Sequence, residues 1–155
     1  MEEGGYITAR LLTDHHTDDR ACVPSLIDQS NASYITDCLA DRGYDSHQIY
    51  ESLEDQTIKP FIPPPSQVVV RSKTNSSTRD QTVKYIKEKG YWAWYYKNDV
   101  GRRNKVENTF YRLKTIFGRK LSSRILPNQD AESHLVCCML NKMTSLGMPK
   151  SVEAC

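Results

Sequence analysis

GRRNKVENTFYRLKTIFGRKLSSR, residues 101–124, carries two superimposed helical stripes. Val106, Phe110, Leu113 and Phe117 step by four, three and four, which puts them on one apolar seam. Gly118 follows as a stop signal. The expected element is a helix over 101–117 whose seam packs on a sheet. Arg103, Glu107 and Lys114 step by four and seven. At about 100° per residue they lie within roughly 40° of one another. One carboxylate is thus flanked along one face by two cations. An ordinary i,i+4 charge pair, at roughly 0.2–0.5 kcal/mol, gives the same pattern, so spacing alone leaves both readings open.

The helix sits in a basic block. Residues 71–124 hold fifteen Lys/Arg against four Asp/Glu, whereas residues 1–70 hold four against twelve. The net charge of +2 conceals this division. Tyr85, Tyr91, Trp92, Trp94, Tyr95, Tyr96 and Tyr111 interleave the basic residues. Lys and Arg neutralise phosphates and aromatic rings stack on unpaired bases, so a polyanion partner suits the block. A solvated basic face fits the charges equally well.

Outside this block the pattern alternates. Residues 6–13 (YITARLLT) and 33–40 (SYITDCLA) read as strands, and 59–63 (KPFIP) as a third strand stub. Between them, residues 21–29 and 46–55 have helical spacing. Asp18 or Asp19 is the natural cap of the first helix, with Pro24 near its start. Asp45 is the expected cap of the second. Residues 66–78 read as an exposed loop, 82–89 as a short basic helix stopped by Gly90, and 127–145 as a final helix. Residues 91–96 resist assignment. Strands alternating with helices at this size imply a mixed α/β layer structure.

The chain of 155 residues fits one domain and has a mean hydropathy of −0.63. It has no apolar run of about 18 residues, so no membrane span is expected. The start, MEEGG, lacks the basic and apolar regions of a signal peptide. A cytoplasmic location follows as the expectation. Cys22, Cys38, Cys137, Cys138 and Cys155 form no CxxC pair, so free thiols are expected. Asp14, His15, His16, Asp18 and Asp19 tempt a metal reading, but they lack i,i+4 spacing and read as a solvated loop with a helix cap.

Arg103-x3-Glu107-x6-Lys114 resembles most of the Y-x2-R-x3-E-x6-K signature of a large branch of bacterial insertion-sequence transposases of the DDE type. Residues 101–124 as a whole are similar to that family's "hRRsxvEtxfxRxKxxfGxxLxaR" segment. Asp41-Arg42-Gly43-Tyr44-Asp45 resembles its "aDgaYD", Phe61-Ile62-Pro63-Pro64 its "vIPPR", and residues 140–149 (LNKMTSLGMP) its closing "LNrMtxLGMPxS". The resemblance runs from about residue 3 to residue 152. Val100 stands where the signature tyrosine would fall; Tyr95 or Tyr96 substitutes only if the loop differs.

The resemblance implies an incomplete ribonuclease H-like, integrase-like mixed sheet with flanking helices. It implies the C-terminal portion of a catalytic domain, with a basic polar insertion around residues 66–100 and without the strand bearing the first catalytic aspartate. It further implies DNA transposition by phosphoryl transfer with two divalent ions, Mg2+ or Mn2+. Asp41 and Glu107 would be catalytic metal ligands. Arg103 and Lys114 would contact DNA phosphates, joined by Arg102, Lys105, Arg112 and Arg119. Ordinary turn chemistry is the competing account of Asp41. With two of three acidic ligands, weak metal binding and inactivity of the chain alone are expected. The implied partners are transposon ends and target DNA, with an upstream transposase half or a second copy. The implied location is the nucleoid. The alternative is a non-catalytic DNA-binding remnant or regulatory fragment.

Overall fold

Two compact units emerge from the computed structural model, which describes residues 4–66 and 78–147. One spans His16–Arg103; the other joins Met1–His15 to Asn104–Cys155.

The first unit is built on a short βαβ crossover. Strand β1 (Asp37–Leu39) pairs in parallel with β2 (Lys59–Phe61), with Asp37 opposite Lys59 and Leu39 opposite Phe61. Parallel neighbours need a crossover, and a helix over His47–Asp55 supplies it. Ser46 accepts from the Ile49 amide and caps that helix. The expected cap, Asp45, is used elsewhere: it is a buried ion-pair partner, as described below. Pro60 has no N–H to offer, which a strand with an open edge tolerates.

Helical spacing brings Ile49, Tyr50 and Leu53 inward, as expected. They form the core with Ile27, Ile58 and Ile62, and Val23, Ile35, Cys38, Ala40 and Tyr44 pack around them. The fully buried Tyr50 donates its phenol proton to the Ile62 carbonyl, which satisfies the one polar atom it brings inside. Burial, with the nearby Asp45 carboxylate, pushes its pKa well above the usual tyrosine range.

In chain order the helices are α1 (Val23–Gln29), α2 (His47–Asp55), α3 (Thr78–Lys89), α4 (Tyr91–Lys97), α5 (Asn104–Ile116) and α6 (Leu126–Ser145). Asp18 caps the 3-10 turn Asp19–Cys22 that leads into α1. The aromatic run 91–96 is helical: Gly90 at φ +90° ends α3 and starts α4. Trp94 turns inward, while Trp92 and Tyr96 stay exposed.

Residues 6–13 do not form the expected strand. No described strand lies beside them. The Ile7 backbone instead pairs with one side chain, Asn141 on α6. The Ile7 N–H donates to Asn141 Oδ1 at 2.7 Å, and Asn141 Nδ2 donates to the Ile7 carbonyl at 2.8 Å. A primary amide offers the same donor and acceptor as a strand neighbour. Arg10 then grips Asp130 through both guanidinium arms at 2.6 and 3.0 Å.

The expected strands at 33–40 and 59–63 shrink to three residues each. A 3-10 turn takes Ala32–Tyr34, and the Pro63-Pro64-Pro65 run follows β2. The fold is therefore mixed α/β and helix-rich, with a two-stranded sheet among the described residues. Most of the expected loop at 66–78 lies outside those residues.

Candidate active site

Asp41 stands two residues past the end of β1, where the chain leaves the sheet. Its Oδ1 accepts from the Gly43 amide at 2.8 Å and so caps the 3-10 turn Arg42–Tyr44. This is ordinary Asx-turn chemistry, and it fixes where the carboxylate points. Its other oxygen, Oδ2, lies 3.7 Å from the Arg103 guanidinium, and the side chain keeps 51% of its exposure. Arg103 belongs to the 3-10 turn Val100–Arg103. The preceding residue, Arg102, reaches Asp37 at the start of β1 at 3.1 Å. Two consecutive arginines therefore face the carboxylates at either end of one strand.

The far end of the Asp41 turn is held more firmly. Asp45 accepts from Arg79 through both oxygens, at 2.8 and 2.7 Å. The two side chains are 2% and 10% exposed, so this fork is desolvated. The Asp45 carboxylate raises the Arg79 pKa above the ordinary guanidinium value. Glu54 accepts from the Thr78 amide at the start of α3. Sequence reasoning missed Arg79. Its only signal was a cation next to Asp80 at the start of a basic helix, and nothing local separates a buried arginine from a solvated one.

Glu107 lies exposed in the first turn of α5. A carboxylate there complements the positive end of the helix macrodipole. The expected single face of Arg103, Glu107 and Lys114 is altered. The α-helix begins at Asn104 and Arg103 precedes it in 3-10 geometry, so the uniform 100° step does not reach back to Arg103. Glu107 and Lys114, seven residues apart, share one exposed face.

The seam is also corrected. Val106, Leu113 and Phe117 are half-buried, Phe110 is 56% exposed, and the buried residue of α5 is Thr109. Within its unit this helix packs on α6, and Arg112 donates to the Thr144 hydroxyl across that contact at 3.0 Å. Thr109 can be buried because its hydroxyl donates to the Lys105 carbonyl.

The six basic candidates therefore divide. Lys105, Lys114 and Arg119 are exposed. Arg112 is tied to Thr144, and Arg102 and Arg103 face Asp37 and Asp41. Val100 is buried, and the Tyr95 hydroxyl lies beside Gly101. Tyr96 is exposed.

Among the described residues no group of three or more His, Cys, Asp or Glu side chains could hold a metal ion. Asp41 offers a single hard oxygen ligand, half-open to solvent, with the Arg103 guanidinium beside it. The described cysteines are free thiols, with Cys22 buried and Cys138 exposed. No helix of the described residues is long and apolar enough to cross a membrane.

The family model described as "Transposase DDE domain" matches residues 2–142. The chain belongs to that family, and a role in DNA transposition comes with it. Proteins of this family generally use divalent metals, and membership implies DNA binding. No solved structure gives a significant match.

Proposed function

We propose that Asp41 and Glu107 are two of the carboxylates that hold the divalent cations of a DNA-cleaving and DNA-joining transposase. The observation that carries this reading is the position of Asp41, an exposed carboxylate set by an Asx turn just past a parallel strand and facing a cation. When bound, Mg2+ or Mn2+ would activate a water or a DNA 3′-hydroxyl and steady the leaving oxygen. The chain's own part is to orient and neutralise. The Gly43 amide fixes the rotamer of Asp41. Lys105, Lys114 and Arg119, with Arg102, Arg103 and Arg112, would supply positive charge to the phosphates on either side of the reacting one.

On this reading the architecture is a ribonuclease H-like sheet of which residues 1–155 form the C-terminal portion, with residues 66–100 as a basic insertion. The signature of the Y-x2-R-x3-E-x6-K branch is met at Arg103, Glu107 and Lys114. Transposon ends and target DNA are the substrates, and an upstream half or a second copy completes the assembly near the nucleoid. Because two carboxylates of a triad are assigned here, the 155 residues alone are expected to bind DNA without nicking it. Incubating the purified chain with transposon-end DNA and Mn2+ tests this. Robust nicking that disappears with Glu107→Ala would contradict the inactivity while supporting the role of Glu107. Nicking that survives Glu107→Ala would contradict the site.

The runner-up is a DNA-binding or regulatory protein without cleavage. The exposed Trp92 and Tyr96 of α4, which follow the exposed lysines of α3 in the same basic stretch of sequence, favour it. A binder would be indifferent to charge-neutral changes at Glu107.

A further inference from the structure

We infer that the turn joining α5 to α6 is a DNA-phosphate site: Lys120 and Arg124 make the contacts, and Glu132 is the positioning residue that holds them ready. The inference deepens the DNA-binding role proposed above and rests on it. Residues 118–129 contain three cations, Arg119, Lys120 and Arg124, and neither Asp nor Glu. All three cations are exposed. The next acidic residue, Asp130, is engaged by Arg10 through both oxygens. The turn therefore offers net positive charge to a polyanion.

Exposed cations alone would make an ordinary solvated turn. Here the backbone between them is held by an anion of the chain's own. The Ser122 amide donates to Glu132 Oε1 at 2.7 Å, and the Ser123 amide donates to Oε2 at 2.8 Å. Two successive N–H groups that converge on one anion form a nest. The Ser123 carbonyl accepts from Gln129 Nε2 at 3.0 Å. Three bonds from the first two turns of α6 thus fix adjacent residues of the turn. The Ser122 and Ser123 amides, and then their hydroxyls, hold the Glu132 carboxyl below its usual range, as donors to the ionised form do. Lys120 stands two residues before this clamp and Arg124 directly after it. Their backbone is ordered before DNA arrives, so binding does not bear the cost of ordering it.

The sign of one substitution separates this role from plain electrostatics. Glu132→Gln removes a negative charge near the turn, and Coulomb attraction alone would then strengthen DNA binding. Loss of the brace weakens it, because a side-chain amide has one acceptor oxygen where the two N–H groups need two. The probe is a mixed-sequence DNA duplex, titrated with the full chain at several salt concentrations. Each lost phosphate contact lowers the salt slope by about 0.9 and the affinity by about three- to tenfold. Lys120→Gln and Arg124→Gln should each show one such loss. Glu132→Gln should lower both slope and affinity despite its added positive charge. Gln129→Ala, which alters no charge, should move both the same way by less, and it decides the matter if circular dichroism shows Glu132→Gln unfolded. If Lys105→Gln and Lys114→Gln lower the slope but Lys120→Gln and Arg124→Gln do not, the inference is overturned and the DNA-binding reading stands. If folded Glu132→Gln binds as tightly as the unaltered chain or more tightly, the brace is overturned. If the folded, unaltered chain does not bind the duplex, inference and reading fall together.

Discussion

Arg79 and Asp45 are the pair on which the first unit most depends for the placement of its turn. Both oxygens of Asp45 are taken by one guanidinium, out of solvent. Arg79→Ala would leave a carboxylate buried without its partner, and a loss of about 3–5 kcal/mol is expected. Urea unfolding measures it; a loss below about 1 kcal/mol would mean that the pair is solvated. Charges in the second unit act through pH instead. The Arg10 guanidinium holds the exposed Asp130 carboxyl below the usual range, and the amides of Ser122 and Ser123 do the same for Glu132. Depressed folded values mean that the stabilisation is complete above the unfolded carboxyl range, near about 4. It is lost as pH falls through the lower folded values. The gap in urea midpoint between the unaltered chain and Asp130→Asn should therefore be present at pH 7 and close at strongly acidic pH. A gap that widens on acidification would reverse the assignment.

Helices α3 and α4 meet at one residue whose backbone needs a left-handed conformation. Gly90 sits at φ +90°, and an added Cβ there would meet nothing within 4 Å. The cost of Gly90→Ala is thus backbone strain without a clash, about 1–2 kcal/mol, readable as a fall in thermal midpoint. No change would mean that the corner relaxes. The glycine stop was legible in the sequence because only a residue without Cβ occupies that region cheaply. So was the inward face of α2, since Ile49, Tyr50 and Leu53 fall on one side at helical spacing. The strand expected at 6–13 was misread for a physical reason. Alternation reports β propensity, but a strand also needs a neighbour, and the neighbour here is the amide of Asn141, 134 residues away. The α5 seam failed similarly. Periodicity identified a face but not its partner, which within the second unit is α6.

At the scale of the whole molecule, the acidic first part and the basic block after residue 70 were visible in the sequence, as were the turn at Asp41 and the helix bearing Glu107. The counter-ions of Asp37, Asp41 and Asp45 were not, because each arginine is at least 34 residues from its carboxylate along the chain. Local spacing holds no record of such pairs. Family membership assigns the chain to DNA transposition, and the proposed chemistry then asks that the carboxylates of residues 41 and 107 meet at one ion. Iron-directed cleavage reads this directly. Fe2+ substituted for the native cation, with added hydrogen peroxide and ascorbate, generates hydroxyl radicals that cut the backbone nearest the ion. The account predicts two cuts in the same chain, near residues 41 and 107, that rise together with Fe2+ and vanish together with Asp41→Asn. Cutting at one of these positions alone, or at both independently of Asp41, would contradict it.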